Sequence, residues 1–375
     1  MVGAEAMTSM DLLYSDDEEL LRDALRRLLV DRCDLSKAKD IYDGDRSMIA
    51  PLWMSVAQEL GLAGTLIPQD VEGAGLSARE AAVILEEVGF ALAPIPFLTS
   101  AVVGTTILIE PKDDLLPQLA TGQVTVALAV PFTTAAGDEV GTVHVDEKSK
   151  LCGEIRSIAG ALEADYLLVP VRAQGGTRIF AVDTSQVDLT AASSLDMTRQ
   201  LADAKLEGCE GRLVLENAEH VLRQSLLVGA AMIASEQIGI ARWCLQSTVK
   251  YLMERRQFGR VLGGYQALKH RLADLYVTIE AAAAAARYAS ATLAANDEDF
   301  PVAAAVAKSA CSEAAVLAAE EALQLHGGIG MTWEYPVHLY LKRAKSAQLA
   351  FGTPGAHRQR LSTLVNLSKG CAANG

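Results

Sequence analysis

Long apolar runs and an excess of positive charge are both missing from this chain. No stretch reaches the roughly 20 consecutive apolar residues of a bilayer-spanning helix, so no membrane span is expected. The 33 Lys and Arg residues are outnumbered by 47 Asp and Glu residues, which gives a net charge of -14. Such a chain repels the phosphates of nucleic acids and anionic lipids, so neither is expected as a partner. Any site for an anionic ligand must therefore be local.

Cysteine is sparse, and export signals are missing. The six cysteines form no Cys-x-x-Cys pair and no Cys/His pair, so neither a metal site nor a disulfide framework is expected. The N-terminus lacks the basic and apolar segments of a secretory signal. We therefore expect a cytoplasmic protein. The cysteines are Cys33, Cys152, Cys209, Cys244, Cys311 and Cys371.

Helical periodicity dominates the N-terminal third, and we assign residues 10–123 to a helical domain. Asp16 and Asp17 mark a helix start, and leucine and alanine recur on one face after them. Ser77, with Glu80 three residues on, predicts a capping box ahead of a later helix. The residues of the predicted apolar face are Leu20, Leu21, Ala24, Leu25, Leu28 and Leu29.

The pattern changes to that of strands over residues 124–218. Short β-branched segments bounded by glycine, proline or aspartate predict a small all-β domain, a barrel or sandwich. The predicted strand segments are Val124–Val130, Gly141–Val145, Tyr166–Val171 and Arg178–Val182.

Residues 219–375 are helical again and rich in Ala and Leu. Four long runs joined by short loops predict an antiparallel four-helix bundle. The runs are Ala230–Glu254, Tyr265–Ala295, Val302–Leu325 and Val337–Ala350. The expected fold class is therefore α+β and mainly α, with the β-domain between two helical domains.

Two motifs of this bundle carry groups suited to a nucleotide. In Glu254–Arg260, Arg255 offers a planar fork of donors that suits a pyrophosphate, and Phe258 offers a flat apolar face. In Gln324–Gly330, two adjacent glycines let a backbone approach a ligand closely. The side chains of Gln266 and Gln324 add amide donors and acceptors.

Each of these residues also has a plainer interpretation. Arg255 suits the C-terminus of a helix, where the macrodipole favours a cation. Gly327 and Gly328 suit a helix stop. For any one residue alone the plainer interpretation is favoured, whereas for the set cofactor binding is favoured.

Together with the Ala-rich segment between them, these motifs resemble the C-terminal bundle of the acyl-CoA dehydrogenase family. Further matches are Tyr265–Gln266, Trp333–Pro336 and Arg343–Lys345, and the domain order extends the resemblance over nearly the whole chain. The resemblance implies FAD as the cofactor, with both turns gripping the ADP half of an FAD bound mainly by a neighbouring subunit. The implied cofactor-binding residues are Arg255, Gln257, Phe258, Gln266, Gln324, Leu325, Gly327 and Gly328.

The flavin-ring part of the family pattern is poorly matched. The family builds it from a Thr-Glu-Pro-x-Ala-Gly-Ser-like turn and a later Trp-x-Thr/Ser turn. Here these places read Val130–Asp138 and Glu154–Gly160. The expected tryptophan is absent, because Trp53, Trp243 and Trp333 all lie outside the β-domain. We do not expect this β-domain to hold a flavin ring well.

The family's catalytic base, a glutamate that removes a proton α to the thioester, is also missing. Its usual place reads Thr353, whose hydroxyl is no base for this step. The alternative place falls near Gly229 and Ala230. The nearest acid, Glu236, lies about two turns further along and is interpreted as a polar helix position. His357 is interpreted as a surface or cofactor-edge residue, so no catalytic residue is assigned.

The resemblance is therefore to the degenerate subunit of a heteromeric acyl-CoA dehydrogenase, a type known from actinobacteria for CoA thioesters of steroid side chains. It implies a homologous partner chain, in a heterotetramer with two copies of each, that supplies the glutamate and the flavin pocket. It further implies an acyl-CoA substrate, a trans-2-enoyl-CoA product and an electron-transfer flavoprotein as a candidate electron acceptor. Two alternatives stay open: a self-sufficient homomeric flavoenzyme with an unlocated base, and a catalytically silent scaffold of the same fold.

Overall fold

The computed structural model describes residues 11–173 and 175–367. Its N-terminal part is helical, with α1 Asp16–Arg32, α2 Ala38–Tyr42, α3 Ile49–Met54, α4 Ala78–Ala91, α5 Thr105–Ile109 and α6 Leu116–Ala120. Two π-helical stretches, Ser55–Glu59 and Phe97–Gly104, lie between them. Ser77 and Glu80 form the predicted capping box at the start of α4, and Ser15 and Glu18 form another at α1. These caps satisfy amide groups that the first helical turn leaves free.

The predicted apolar face of α1 is partly wrong. Leu25 is buried as expected, but Leu20 is 64% exposed. Arg22 is buried in its place, and its Nη1 donates to carboxylates of Glu86 and Glu87 on α4 at 2.9 and 3.0 Å. The helix therefore packs through ion pairs as well as leucines, which a hydrophobic period alone does not reveal.

Two four-stranded sheets form the middle of the chain. Their strands are β1 Val126–Leu128, β2 His144–Val145, β3 Leu151–Ala159, β4 Tyr166–Ala173, β5 Gly176–Asp183, β6 Asp188–Ala192, β7 Leu201–Cys209 and β8 Arg212–Leu215. One sheet has the order β1-β4-β5-β8, with β1 parallel to β4, and the other the order β2-β3-β7-β6. Residues of both sheets, among them Ile158 and Val169, share one apolar core.

Strands β3, β6, β7 and β8 were not among the predicted segments. The buried face of β7 carries Ala202 and Ala204, and alanine is a weak strand signal. A turn was expected at Glu154–Gly160, yet Glu154–Ala159 belongs to β3. The pairing of β3 with β7 is irregular between Ile155 and Ile158, where Ser157 adopts a φ of +56°. The segment is therefore a bulged strand.

Five helices form the C-terminal part: α7 Glu219–Glu254, α8 Gln266–Ala294, α9 Phe300–His326, α10 Val337–Leu349 and α11 Pro354–Leu364. Each predicted run falls on one helix, although α7 begins at Glu219 rather than at Ala230. Among the described residues one helix, Phe300–Met331, could cross a membrane by length and composition. Its apolar window is 72% buried inside the protein, as in the core helix of a bundle.

Helix α7 joins the bundle to the N-terminal helices by crossing α4 at close range. A Cβ atom built on Gly239 would lie 1.9 Å from the carbonyl oxygen of Glu86, so only glycine fits there. The crossing brings the middle of α7, including Glu236, into the interior of the protein.

Candidate functional site

The Arg-x-x-Phe-Gly motif forms a small hairpin at the end of α7. Strands β9 Arg256–Gln257 and β10 Arg260–Val261 pair antiparallel, and the Arg255 carbonyl accepts a hydrogen bond from the Leu262 amide at 2.8 Å. Phe258 sits at the tip with a φ of +52° and is 87% exposed. The side chains of Arg255 and Gln257 are exposed as well. The hairpin thus exposes a guanidinium and an aromatic ring on the surface of this chain.

The Gln-x-x-Gly-Gly motif ends α9. Gly327 is its C-cap, with a φ of +64° that suits glycine, so the helix-stop interpretation holds for this residue. A Cβ built on Gly327 or Gly328 would meet no atom within 4 Å, so the backbone there is open to a ligand. Gln324 is exposed and Leu325 is half-buried. The turn can therefore end a helix and receive a ligand at once.

An aromatic stack brings the two motifs together. Tyr251, one turn before Arg255, stacks on His326, whose ring centroid lies 4.5 Å away. His326 directly precedes Gly327. On the first motif's other side, Gln266 begins α8 and its amide nitrogen lies 3.0 Å from Nε2 of His270. The structure therefore places the predicted cofactor-binding residues around one end of the bundle.

The place expected for the flavin ring is filled by two aromatic side chains. Phe132 and Phe351 meet edge to face, with centroids 5.3 Å apart, and are 6% and 5% exposed. The Phe351 amide donates to the Phe132 carbonyl at 2.9 Å, and the Gly352 amide donates to the Thr133 carbonyl at 3.1 Å. A cavity of only about 20 Å³ remains beside them, and its lining residues, all of them described, include no acid: Thr99, Val103, Leu128, Val130, Pro131, Phe132, Ala159 and Phe351.

The two positions considered for a base, Gly229 and Thr353, both lie near Phe351, one against its ring and the other two residues along the chain. A Cβ built on Gly229 would lie 2.8 Å from the Phe351 ring, so the aromatic ring occupies the space a side chain at Gly229 would need. Thr353 is the N-cap of α11, and its Oγ1 accepts from the Ala356 amide at 3.3 Å. Thr353 therefore serves as a helix cap, and Gly229 lies against an aromatic ring.

His357 lies inside the protein, so its interpretation as a surface residue is wrong. Its Nε2 donates to the Phe351 carbonyl at 2.9 Å, while Nδ1 has no partner in the described part of the chain. Burial lowers the pKa of His357, which keeps the ring neutral at neutral pH. The ring therefore fastens the loop that carries Phe351.

Glu236 is fully buried between two arginines. Arg343 donates from Nε to its Oε1 at 2.7 Å, and Arg199 bonds the other carboxylate oxygen. Nη1 of Arg343 also bonds Thr198 at 3.1 Å and lies 3.7 Å from Asp196. Burial alone would raise the pKa of Glu236, but the two guanidinium groups hold it below its ordinary value. The carboxylate is thus a structural anion joining α7, α10 and the β-domain.

The contacts of several residues in this region are not predicted from the sequence. Phe132 and Phe351 close the cleft, His326 links the motifs, and Arg199 and Arg343 hold Glu236. One signal was available for the first pair: only seven phenylalanines occur in the chain, and one falls in Val130–Asp138 and another in the loop before α11. Nothing in the local sequence marks the other contacts, because they form between distant segments.

Comparisons with known proteins cover both ends of the chain. Residues 15–123 match the acyl-CoA dehydrogenase N-terminal domain, and residues 220–363 match the C-terminal domain. The chain is 34% identical over 352 residues to acyl-CoA dehydrogenase IpdE2 of Mycobacterium tuberculosis, which covers 93% of this chain and 98% of that protein.

Solved structures agree with this match. The chain is similar to the Tcur3481-Tcur3483 steroid ACAD, with 29% identity, a TM-score of 0.82 and coverage of 94% of this chain and 99% of that one. It has the fold of a chain in the ChsE4-ChsE5 complex from Mycobacterium tuberculosis, with 22% identity, a TM-score of 0.84 and coverage of 95% and 99%. Solved structures of this fold hold FAD.

Proposed function

Because this chain belongs to the acyl-CoA dehydrogenase family, we propose that it is the subunit of a heteromeric enzyme that binds the ADP half of its partner's FAD and carries no base of its own. The family's cofactor is FAD, which when bound supplies a hydride acceptor for the α,β-dehydrogenation of an acyl-CoA to a trans-2-enoyl-CoA. A homologous partner chain supplies the glutamate that removes the α-proton and the pocket for the flavin ring.

The closed cleft at Phe132 and Phe351 carries this proposal. The buried rings of Phe132 and Phe351 fill the space between the β-domain and the loop before α11, and two backbone hydrogen bonds join these two segments. The cavity that remains, about 20 Å³, has room for one water molecule but not for an isoalloxazine ring. The residues present therefore do not fit the flavin ring, and no catalytic step is assigned to this chain's own cleft.

The exposed end of the bundle does fit the ADP half of FAD. Arg255 can donate two parallel hydrogen bonds to a pyrophosphate. Phe258 stands free to cover a ring, and the backbone at Gly327 and Gly328 is open to close approach. The chain as a whole is acidic, whereas this hairpin is cationic. The hairpin is therefore a local site for the anionic pyrophosphate of an FAD that is bound mainly by another subunit.

The relatives point to a partner and to a substrate class. One similar structure is a steroid ACAD and another is a two-component complex, so we extend the proposal to a heterotetramer acting on a CoA thioester with a steroid-derived acyl group. Turnover of the assembled complex with such a thioester, compared with a short straight-chain acyl-CoA, tests this extension. Faster turnover of the straight-chain thioester contradicts it.

Replacing Arg255 tests the cofactor assignment. Losing a charge-assisted hydrogen bond costs about 1.5–3 kcal/mol, so Arg255→Ala weakens FAD retention in the complex about 10- to 150-fold. Arg255→Lys rescues only in part, because lysine lacks the fork. Arg256→Ala, which removes the same charge one residue along, serves as the matched control and retains FAD.

Unchanged FAD content in Arg255→Ala contradicts the proposal. Purification of the chain alone separates the alternatives. A full flavin complement with activity supports a homomeric enzyme. A colourless protein without a homologous partner supports a silent scaffold.

A further inference from the structure

We propose that His326 is a positioning residue for the FAD site: its ring, which stacks on Tyr251 and also packs against Tyr335, fixes the Arg255 hairpin and the Gly327–Gly328 turn in one arrangement. This inference rests on the proposed function, because the ligand it serves is the ADP half of the partner's FAD. His326 touches no cofactor in this account and acts through its neighbours.

The stack reaches both motifs by short paths. The ring of His326 lies 4.5 Å from the Tyr251 centroid and 4.8 Å from the Tyr335 centroid. The carbonyl of Tyr251 accepts from the amide of Arg255 at 2.9 Å, and His326 is bonded directly to Gly327. A shift of the ring therefore moves the start of the hairpin relative to the glycine turn.

Hydrogen bonding fixes the orientation and the tautomer of the ring. Nδ1 donates to the Ala322 carbonyl one turn back at 2.7 Å, which leaves Nε2 with a lone pair. Within residues 11–173 and 175–367 this buried Nε2 has no hydrogen-bond partner. A second proton, on Nε2, would therefore have no acceptor there. The hydroxyl of Tyr335, which lies 3.2 Å from Oγ of Ser247, ties the other side of the stack to α7.

The surroundings of the ring favour a neutral imidazole, because a proton on the buried Nε2 has no acceptor among the described residues. Tyr251 on α7 and Tyr335 in the turn after α9 are the titratable groups packed against the ring, and no charged side chain in the described ranges bonds to it. Burial lowers the pKa of His326 below its ordinary value of 6.5, and the Ala322 bond opposes this only in part. At acidic pH, protonation therefore charges a ring whose Nε2 has no hydrogen-bond acceptor among the described residues.

The test uses the complex assembled with its homologous partner and measures FAD dissociation. His326→Leu removes the stack and weakens FAD retention about 2- to 13-fold. His326→Phe keeps the stack, retains FAD near the wild-type level at pH 8 and removes the titration. Wild type then loses FAD faster as the pH falls below the ordinary histidine pKa of 6.5, and His326→Phe does not. The matched control is Trp243→Leu, which removes a comparable stack of α7 on Tyr340, whose centroid is 3.6 Å away, far from both motifs.

Arg255→Ala, measured alongside, separates this inference from the proposed function. If Arg255→Ala loses FAD while His326→Leu behaves like Trp243→Leu, the positioning role is overturned and the proposed function stands. If neither variant loses FAD, both are overturned. If His326→Leu does not assemble, the pH profile of His326→Phe decides: a flat profile supports the role, and a profile parallel to wild type overturns it.

Discussion

Replacing Glu236 by glutamine distinguishes a structural anion from a catalytic base. The carboxylate is fully buried, with Arg343 Nε at 2.7 Å on one oxygen and Arg199 on the other. Glutamine keeps the shape and one acceptor oxygen but removes the negative charge. The two arginines then face each other with Asp196 as the remaining acid nearby.

The magnitude follows from the burial of this network. Breaking a buried ion pair by changing one partner costs about 3–5 kcal/mol, because the remaining charges lose their compensation. The matched control is Glu280→Gln, since Glu280 is half-exposed and lies 3.9 Å from Arg242. Exposed pairs contribute about 0–1 kcal/mol, so this control changes little.

Two assays on the assembled complex decide the matter: the urea midpoint and the turnover per bound FAD. We expect Glu236→Gln to lower the midpoint strongly and to leave the turnover at the wild-type level. General-base catalysis contributes about 10²–10⁴-fold. A turnover loss of that size at unchanged stability would show that this chain carries its own base, and the reasoning here would be wrong.

Three further predictions concern the loop before α11. Burial lowers the pKa of Lys308 to about 7, and its Nζ donates to the carbonyls of Ala347 and Gln348. The unfolded chain holds this proton up to the ordinary pKa of 10.5. The free energy of unfolding of wild type relative to Lys308→Met therefore rises between about pH 7 and 10.5, by at most ~1.4 kcal/mol per pH unit. Denaturation measured across this pH range contradicts the prediction if the two proteins keep a constant difference in stability. Phe351→Ala lowers the free energy of unfolding by about 3–5 kcal/mol and leaves the turnover of the complex intact. If this variant is as stable as wild type, the cleft is not packed as described. Thr353→Ala costs about 1 kcal/mol through the lost N-cap without changing turnover, and Thr353→Glu creates no second working site; a gain of flavin in Thr353→Glu refutes the closed cleft.

Much of the architecture follows from local patterns. The capping box at Ser77 and the four long runs of the bundle are in place, because helix periodicity and caps are encoded within a few residues. Strand β7 escaped prediction because its buried face includes Ala202 and Ala204 and no β-branched residue. The exposed Leu20 and the buried Arg22 show the same limit, since the ion pairs with α4 come from a distant segment.

The candidate site divides in the same way. The hairpin after Arg255 and the helix stop at Gly327 are local conformations, and Gly259 and Gly327 predict them from the sequence. The contact of Phe132 with Phe351 and the arginine pair around Glu236 depend on how separate segments pack. The sequence shows threonine at position 353, where the resemblance leads us to expect a glutamate. It does not show that the Phe351 ring lies against Gly229, because that contact depends on the packing of distant segments.

Counting the flavin in the purified complex tests the central claim most directly. FAD released by denaturation is measured by absorbance against the concentration of each chain. The closed cleft of this chain, together with an ADP-binding surface that serves the partner, predicts one FAD for every two chains. One FAD for every chain would contradict the account, because this chain's own cleft would then hold a flavin ring in the place of Phe132 and Phe351.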